Sequence, residues 1–425
     1  MGRSPWHWDT CPRHVLSLVE GLLALGYCIH YLIKLLKEVP MLHISTFEEI
    51  KAGRVTDVYF QRTLEVLEAK GVDKQVKAEF VAKDLPVDWQ WAVLAGIEEC
   101  ARILEGVDVS VRCVREGTLF RPNQPVMEVQ GRYSSFAMLE TALLGLLCQA
   151  SGIATKAARF KKLAGDRIVA SFGARRMHPA IAPMIERAAF LGGCDGVSTI
   201  VSAELLGDAP LGTMPHALML VMGSTVEAAK AFHEVMPPEV RRVSLIDTFN
   251  DEKFEAINVA EALGDNLFAV RLDTPSSRRG NFYRILEEVR WELDIRGYGH
   301  VKLFVSGGIT EASVQELNPL VDAYGIGTSI SNAPVVDFSM DIVEVDGRHI
   351  AKRGKMSGSK SVWRCPQCFR NVTTLYEQRP SHPGCEGEYQ EILDPFVEGG
   401  KLIVELPNVH DIRSFVLQQI RNLDL

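Results

Sequence analysis

The residues able to do chemistry cluster between positions 172 and 329, and they recur at one kind of place, just beyond short apolar runs. Residues 167–171 lead into Phe172, Gly173, Ala174, Arg175 and Arg176. Residues 243–247 end in Asp247, and 267–273 end in Arg271 and Asp273. Residues 301–305 lead into Ser306, Gly307 and Gly308, and 321–326 into Gly327, Thr328 and Ser329. Guanidinium groups are planar forks suited to carboxylate or phosphate. Asp247, Asp251 and Asp273 suit ribose hydroxyls or Mg²⁺, which takes one or two carboxylates together with phosphate oxygens. Gly307-Gly308 precedes a helix start at Thr310-Glu311, so bare N–H groups meet a helix N-terminus, and Gly327-Thr328 repeats the device one unit later. One such loop alone is a tight turn; two in succession read as a phosphate cradle. His216 closes a further loop of this kind, Gly212 to His216. A lone histidine, by its type, is more often a structural hydrogen-bonder than a catalyst.

A second cluster lies near the C-terminus. Cys365-x2-Cys368, thirteen residues, then His382-x2-Cys385 offers three thiolates and one imidazole. That set suits tetrahedral zinc in a closed, structural shell, with no position left for a catalytic water. Cys11, Cys28, Cys100, Cys113, Cys148 and Cys194 show no pairing pattern, and nine scattered cysteines fit a reducing, cytoplasmic setting.

The elements that must position these groups follow from periodicity. Residues 41–150 alternate helical and extended runs and predict an α+β sandwich. Residues 151–336 alternate apolar strands with helices at 180–191, 225–235, 252–263, 281–295 and 310–317. Buried parallel strands with helical crossovers are the expectation. An open doubly wound sheet and a closed barrel both fit the pattern; polar residues gathered at the C-terminal strand ends favour the barrel. Parts of 337–362 and 386–425 would complete the sandwich, with a zinc knuckle at 363–386.

The chain has 425 residues, 47% of them hydrophobic and 24% charged, with 46 basic and 54 acidic residues for a net charge of −8. This excludes disorder as the main state and argues against a nucleic-acid partner. Arginines focused on one rim of an acidic protein point to a small anionic ligand. Residues 1–40 differ: Val15–Leu36 is mostly apolar, and reads as a membrane anchor or an amphipathic helix. Glu20, His30 and Lys34 inside it oppose a span. The reading adopted is a leader or non-native extension dispensable for function.

From Met41 onward the chain resembles nicotinate phosphoribosyltransferase of the compact zinc-knuckle form. The resemblance rests on Thr56 to Phe60, Glu116-Gly117-Thr118, Leu139-Glu140-Thr141, Ser151 to Thr155, Phe172 to Arg176, Gly193 to Gly196, Gly212 to His216, Arg271-Leu272-Asp273 and Gly325 to Ser329. It implies a type II phosphoribosyltransferase fold: a sandwich plus an irregular α/β barrel with fewer units than eight. It implies transfer of phosphoribose from phosphoribosyl pyrophosphate to nicotinate, with Mg²⁺ and ATP. Carried over by motif, Phe172 and Tyr59 stack the pyridine ring, Tyr59 coming from a partner subunit. Arg271 faces the nicotinate carboxylate, and Arg175 and Arg176 the pyrophosphate or that carboxylate. Asp195, Ser198 and Thr199 line the base pocket. Asp247 and Asp273 hold ribose and metal, and Gly307, Gly308, Gly327 and Thr328 hold the 5′-phosphate. His216 matches a histidine phosphorylated by ATP, although Ala217 stands where relatives usually have serine. A homo-oligomer, a dimer or a hexamer built from dimers, is implied. Quinolinate and nicotinamide phosphoribosyltransferases are the nearest rivals; the Gly212–His216 loop and the zinc knuckle speak against quinolinate. An inactive barrel acting as a zinc-dependent binding protein is more remote.

Overall fold

The computed structural model describes residues 42–86, 89–380, 385, 387–421 and 423. The chain divides into two units, Met1–Thr46 and Phe47–Leu425. The expectations for residues 1–40 and for His382 lie outside the described residues.

Within Phe47–Leu425, a seven-stranded antiparallel sheet has Gln75–Ala82, Pro125–Arg132 and Val109–Cys113 at its centre. Its flanks come from far along the chain: Phe338–Val345 pairs with Gln75–Ala82, and Asp394–Glu398 pairs with Val109–Cys113. The inner face packs Phe80, Met127, Val129, Phe136, Leu143 and Leu147 into one core. Helix Ile97–Leu104 is preceded by the short strand Ala92–Val93. The apolar run that starts at Tyr133 continues as helix Glu140–Ala164, across the boundary at residue 150 expected between sandwich and barrel. Ser151 and Gly152 are residue types that usually end a helix. Here Ser151 donates to Ala95 O, and a Cβ on Gly152 would strike the Pro334 carbonyl, so the small residues permit close packing. This is the one helix among the described residues long and apolar enough to cross a membrane, and 56% of its most apolar stretch is buried in the protein.

The second layer is a parallel sheet in the spatial order Ile168–Ser171, Ala323–Ile326, Lys302–Ser306, Leu267–Leu272, Arg242–Leu245. Irregular backbone joins its two edges. Ala170 bridges Gly196, Leu211 N–H donates to Val197 O (2.7 Å), and Met214 N–H donates to Val243 O (3.2 Å). One residue from each strand, Ala170, Val243, Ala269, Phe304 and Ala323, forms a small separate core. Three of the five are alanine, so a ring of five regular strands is narrow enough to fill without a pore. The opposite strand faces join the larger core under the helices. The chain is therefore a sandwich plus an irregular α/β barrel.

Two ionic contacts tie the parts together. Arg187, on helix Ala182–Leu191, holds Glu116 (2.9 Å) and Glu98 (2.8 Å) of the sandwich, while Glu116 also accepts from Gly96 N–H. Lys360, at the start of the cysteine module, is buried against Glu79 (2.7 Å). Removing one partner of a buried pair strands the other. Arg187→Ala is expected to lower unfolding free energy by about 3–5 kcal/mol, read as a lower denaturant midpoint, while Arg54→Ala at the exposed Arg54–Glu49 pair leaves the midpoint nearly unchanged.

Candidate active site

The C-terminal ends of four of the five barrel strands open into two adjoining compartments that share Phe172, Arg175 and Arg271; Asp247, beyond the fifth strand, lines neither. The first, about 100 Å³, is lined also by Arg176, Asp273, Ser306, Gly307, Gly308, Gly327 and Thr328. The second, about 270 Å³, is lined by Ser198, Thr199, Leu211, Gly212, Thr213 and Pro215.

Arg271 stands between them, projecting from the end of strand Leu267–Leu272. Its guanidinium donates to Ser306 Oγ (2.8 Å) and Thr213 Oγ1 (2.6 Å), pairs with Asp273 (3.2 Å), and lies 5.3 Å from the Phe172 ring centre. Burial pulls its pKa down, against the opposing pull of Asp273 and Asp247. Phe172 stacks on Phe304 (5.9 Å, 22°). A Cβ on Gly325 would sit 2.5 Å from the Phe172 ring, so only glycine lets that ring lie flat across the barrel mouth.

The glycine loops behave as a cradle. Gly307 and Gly308 both have positive φ (78° and 66°), and a Cβ on Gly307 would meet Asp273 Oδ1 at 2.7 Å. Thr310 then caps helix Glu311–Leu317 with a capping box. Arg279 braces the loop from behind, donating to the carbonyls of Thr274, Ser306 and Gly307. N–H groups of this loop and of Gly327-Thr328, with Arg175 and Arg176, make the smaller compartment suited to phosphate oxygens.

His216 begins helix His216–Met222, and its Nε2 meets Asp247 Oδ1 at 3.2 Å. The Asp247 side chain is 3% exposed and that of His216 40%. Burial raises the Asp247 pKa, Asp273 raises it further, and His216 partly offsets both. A buried carboxylate with a second carboxylate nearby suits a divalent cation.

Not every expected residue is brought here. Asp195 faces away: its oxygens take Lys161 (2.8 Å), Arg413 (2.5 Å) and Val169 N–H (2.9 Å), a structural knot at the edge of the first barrel strand rather than a pocket wall. Asp251 caps helix Glu252–Leu263. Tyr59 is 56% exposed and lines neither compartment within its own chain. Conversely, Thr213, Ser306 and Arg279 take part although residue type alone does not single them out. Ser306 and Thr213 stand inside motifs that do carry a signal; Arg279 sits in a Ser-Ser-Arg-Arg stretch that reads as ordinary surface.

In the C-terminal module, Cys365, Cys368 and Cys385 bring their sulfurs within 4.8 Å of one another. Gly387 fits against Cys365 Sγ where a Cβ would collide. Hydrogen bonds from Tyr389 and from the Gly387 backbone lower the Cys385 pKa to about 7, and a thiolate near neutrality is what a metal needs. The cluster is compatible with a zinc knuckle.

Comparison with known proteins agrees with this fold. Residues 57–151 match the N-terminal domain of quinolinate phosphoribosyl transferase and 153–341 its C-terminal domain. A nicotinate phosphoribosyltransferase of Mycobacterium tuberculosis, pncB2, is 30% identical over 343 residues, covering 76% of this chain and 71% of the relative. The chain belongs to the nicotinate phosphoribosyltransferase family. A second enzyme of that name from the same organism, pncB1, is 27% identical across 88% of this chain and 91% of its own. The crystal structure of nicotinate-nucleotide pyrophosphorylase from Pyrococcus furiosus superposes with a TM-score of 0.89 at 52% identity, covering 91% of this chain and 100% of that one. Human nicotinic acid phosphoribosyltransferase shares the fold, with a TM-score of 0.69 at 20% identity over 87% and 94% of the two chains.

If Gly325 exists to seat the Phe172 ring, Gly325→Ala will tilt that ring and lower kcat/KM by about tenfold or more, equivalent to ~1.4 kcal/mol. Steady-state kinetics beside a thermal melt will show a larger loss of turnover than of stability.

Proposed function

We propose that this protein joins nicotinate to phosphoribosyl pyrophosphate, giving nicotinate mononucleotide and pyrophosphate, and that it couples this to ATP through His216 in cytoplasmic pyridine-nucleotide salvage. The observation that carries the reading is the placement of Arg271 between a phosphate-sized, glycine-lined compartment and a flat compartment floored by Phe172.

The pyridine nitrogen attacks the anomeric carbon; the C–N bond forms as the C–O bond to pyrophosphate breaks, and positive charge spreads over the ribose ring. Such a step needs alignment and charge stabilisation more than an acid or base. Phe172 holds the ring plane. Arg271, preorganised by Ser306 and Thr213, faces the carboxylate. Gly307, Gly308, Gly327 and Thr328 hold the 5′-phosphate, and Arg175 and Arg176 the leaving group. Asp247 and Asp273 would hold Mg²⁺, which neutralises pyrophosphate as it departs. Zn²⁺ on the cysteine module would be structural. With Nε2 turned to Asp247, His216 keeps Nδ1 free to accept a phosphoryl group, adding roughly two negative charges to this rim. The exposed Tyr59 would stack on the ring from a second subunit, which makes the working unit at least a dimer.

The direct test is formation of nicotinate mononucleotide from nicotinate and phosphoribosyl pyrophosphate, with and without ATP, by protein starting at Met41; no product would refute the reading. Arg271→Ala removes charge-assisted bonds worth about 1.5–3 kcal/mol, so KM for nicotinate should rise roughly 10- to 150-fold with a much smaller change for the ribosyl donor. His216→Ala should retain slow transfer and lose all stimulation by ATP; undiminished stimulation would remove the phosphohistidine from the scheme.

A further inference from the structure

Behind the flat compartment lies a carboxylate with no part in the scheme above. Glu186, on helix Ala182–Leu191, is fully buried. Its Oε1 accepts from Ser198 N–H (2.8 Å) and Ser198 Oγ (2.6 Å). Its Oε2 accepts from Thr199 N–H (3.1 Å) and Thr199 Oγ1 (2.5 Å). Ser198 and Thr199 line that compartment together with Arg175 and Arg271. Thr199 Oγ1 also meets Ser202 Oγ at 2.5 Å on the far side.

Four donors fill the lone-pair directions of one carboxylate. Both wall hydroxyls therefore spend their single proton on Glu186, and both backbone N–H groups are consumed as well. What Ser198 and Thr199 can still offer a ligand is oxygen lone pairs, backed by a buried negative charge.

We infer that Glu186 is a specificity-determining positioning residue: it makes one wall of the ring compartment acceptor-only, so a ligand carboxylate is confined to the arginine edge and a second carboxylate on the ring is rejected. The discrimination is a repulsive element paired with an attractive one. A dicarboxylate would press anionic oxygens on acceptors that have no proton to give, whereas a ring carrying a donor on that edge finds partners. The inference rests on the reading that this compartment takes the pyridine ring.

The experiment compares two competitive inhibitors of the nicotinate reaction, 5-aminonicotinate and pyridine-3,5-dicarboxylate, which differ in the group presented to the second edge. On the unmodified protein the amino compound should bind at least about tenfold tighter, because its neutral hydrogen bond to the wall and the repulsion of a second carboxylate both widen the gap. Glu186→Gln replaces an acceptor by an amide donor and frees a hydroxyl proton; it should shrink that preference to about threefold or less by tightening the dicarboxylate. A mutation that merely damaged the wall would weaken both compounds. Equal binding of the two by the unmodified protein overturns the inference, and so does an unchanged preference in folded Glu186→Gln. If that variant does not fold, the comparison on the unmodified protein decides. Absence of any nicotinate mononucleotide from that protein would instead overturn the reading of the reaction, and calorimetric binding of the same two compounds would still decide what the wall presents.

Discussion

The site depends on keeping one guanidinium in place at the mouth of a narrow barrel. Arg271 is pulled three ways, toward Ser306, Thr213 and Asp273, and each partner belongs to a different segment of the chain. An arginine held this way loses little freedom when it meets an anion, because its entropy has already been given up on folding. The same three bonds fix these segments relative to one another, so the two compartments share a wall whose position cannot drift independently in either. The alanine-filled interior makes this possible: small side chains at Ala170, Ala269 and Ala323 draw the strands close enough for loops from different strands to meet.

Charge is distributed around this mouth by opposition. Arginines line the side toward Gly307 and Gly327, while Asp247, its pKa raised by burial and by Asp273, stands on another side, and Glu186 stands unseen behind a third. On the proposed reading, a transition state cationic at ribose and anionic at both ends would meet an environment already sorted by sign. Little reorganisation remains to be done when charge develops, which is the condition under which fixed dipoles act most strongly.

Much of this is legible from residue type and position. A strand end followed by arginine, aspartate or paired glycine is a local signal, and it places Phe172, Arg175, Arg271, Asp273, Gly307 and Gly327 on one rim. What the sequence does not show is direction. Asp195 lies between motifs that do reach the rim, yet its partners Lys161 and Arg413 are 34 and 218 residues away and turn it outward. Glu186 and Arg279 are hidden for the converse reason: a buried acceptor inside a helix and an arginine in a polar loop have no local signature until the segments they brace are seen. Helix ends mislead where tertiary packing overrides propensity, as at Gly152, where a glycine in mid-helix marks close approach to Pro334 rather than a stop.

The antiparallel sheet draws its flanking strands from residues 338–349 and 394–402, after the whole barrel has been threaded between them and its centre. On a ribosome adding about 5–20 residues per second, the first three strands wait on the order of ten seconds or more, with both margins unpaired, before their neighbours emerge. Such pairings between distant parts of the chain are slow to form, and open strand margins invite pairing with other chains. The amino-terminal layer is thus the last to be finished though it is the first to be made, and the nascent polypeptide carries its greatest exposure to aggregation during that delay.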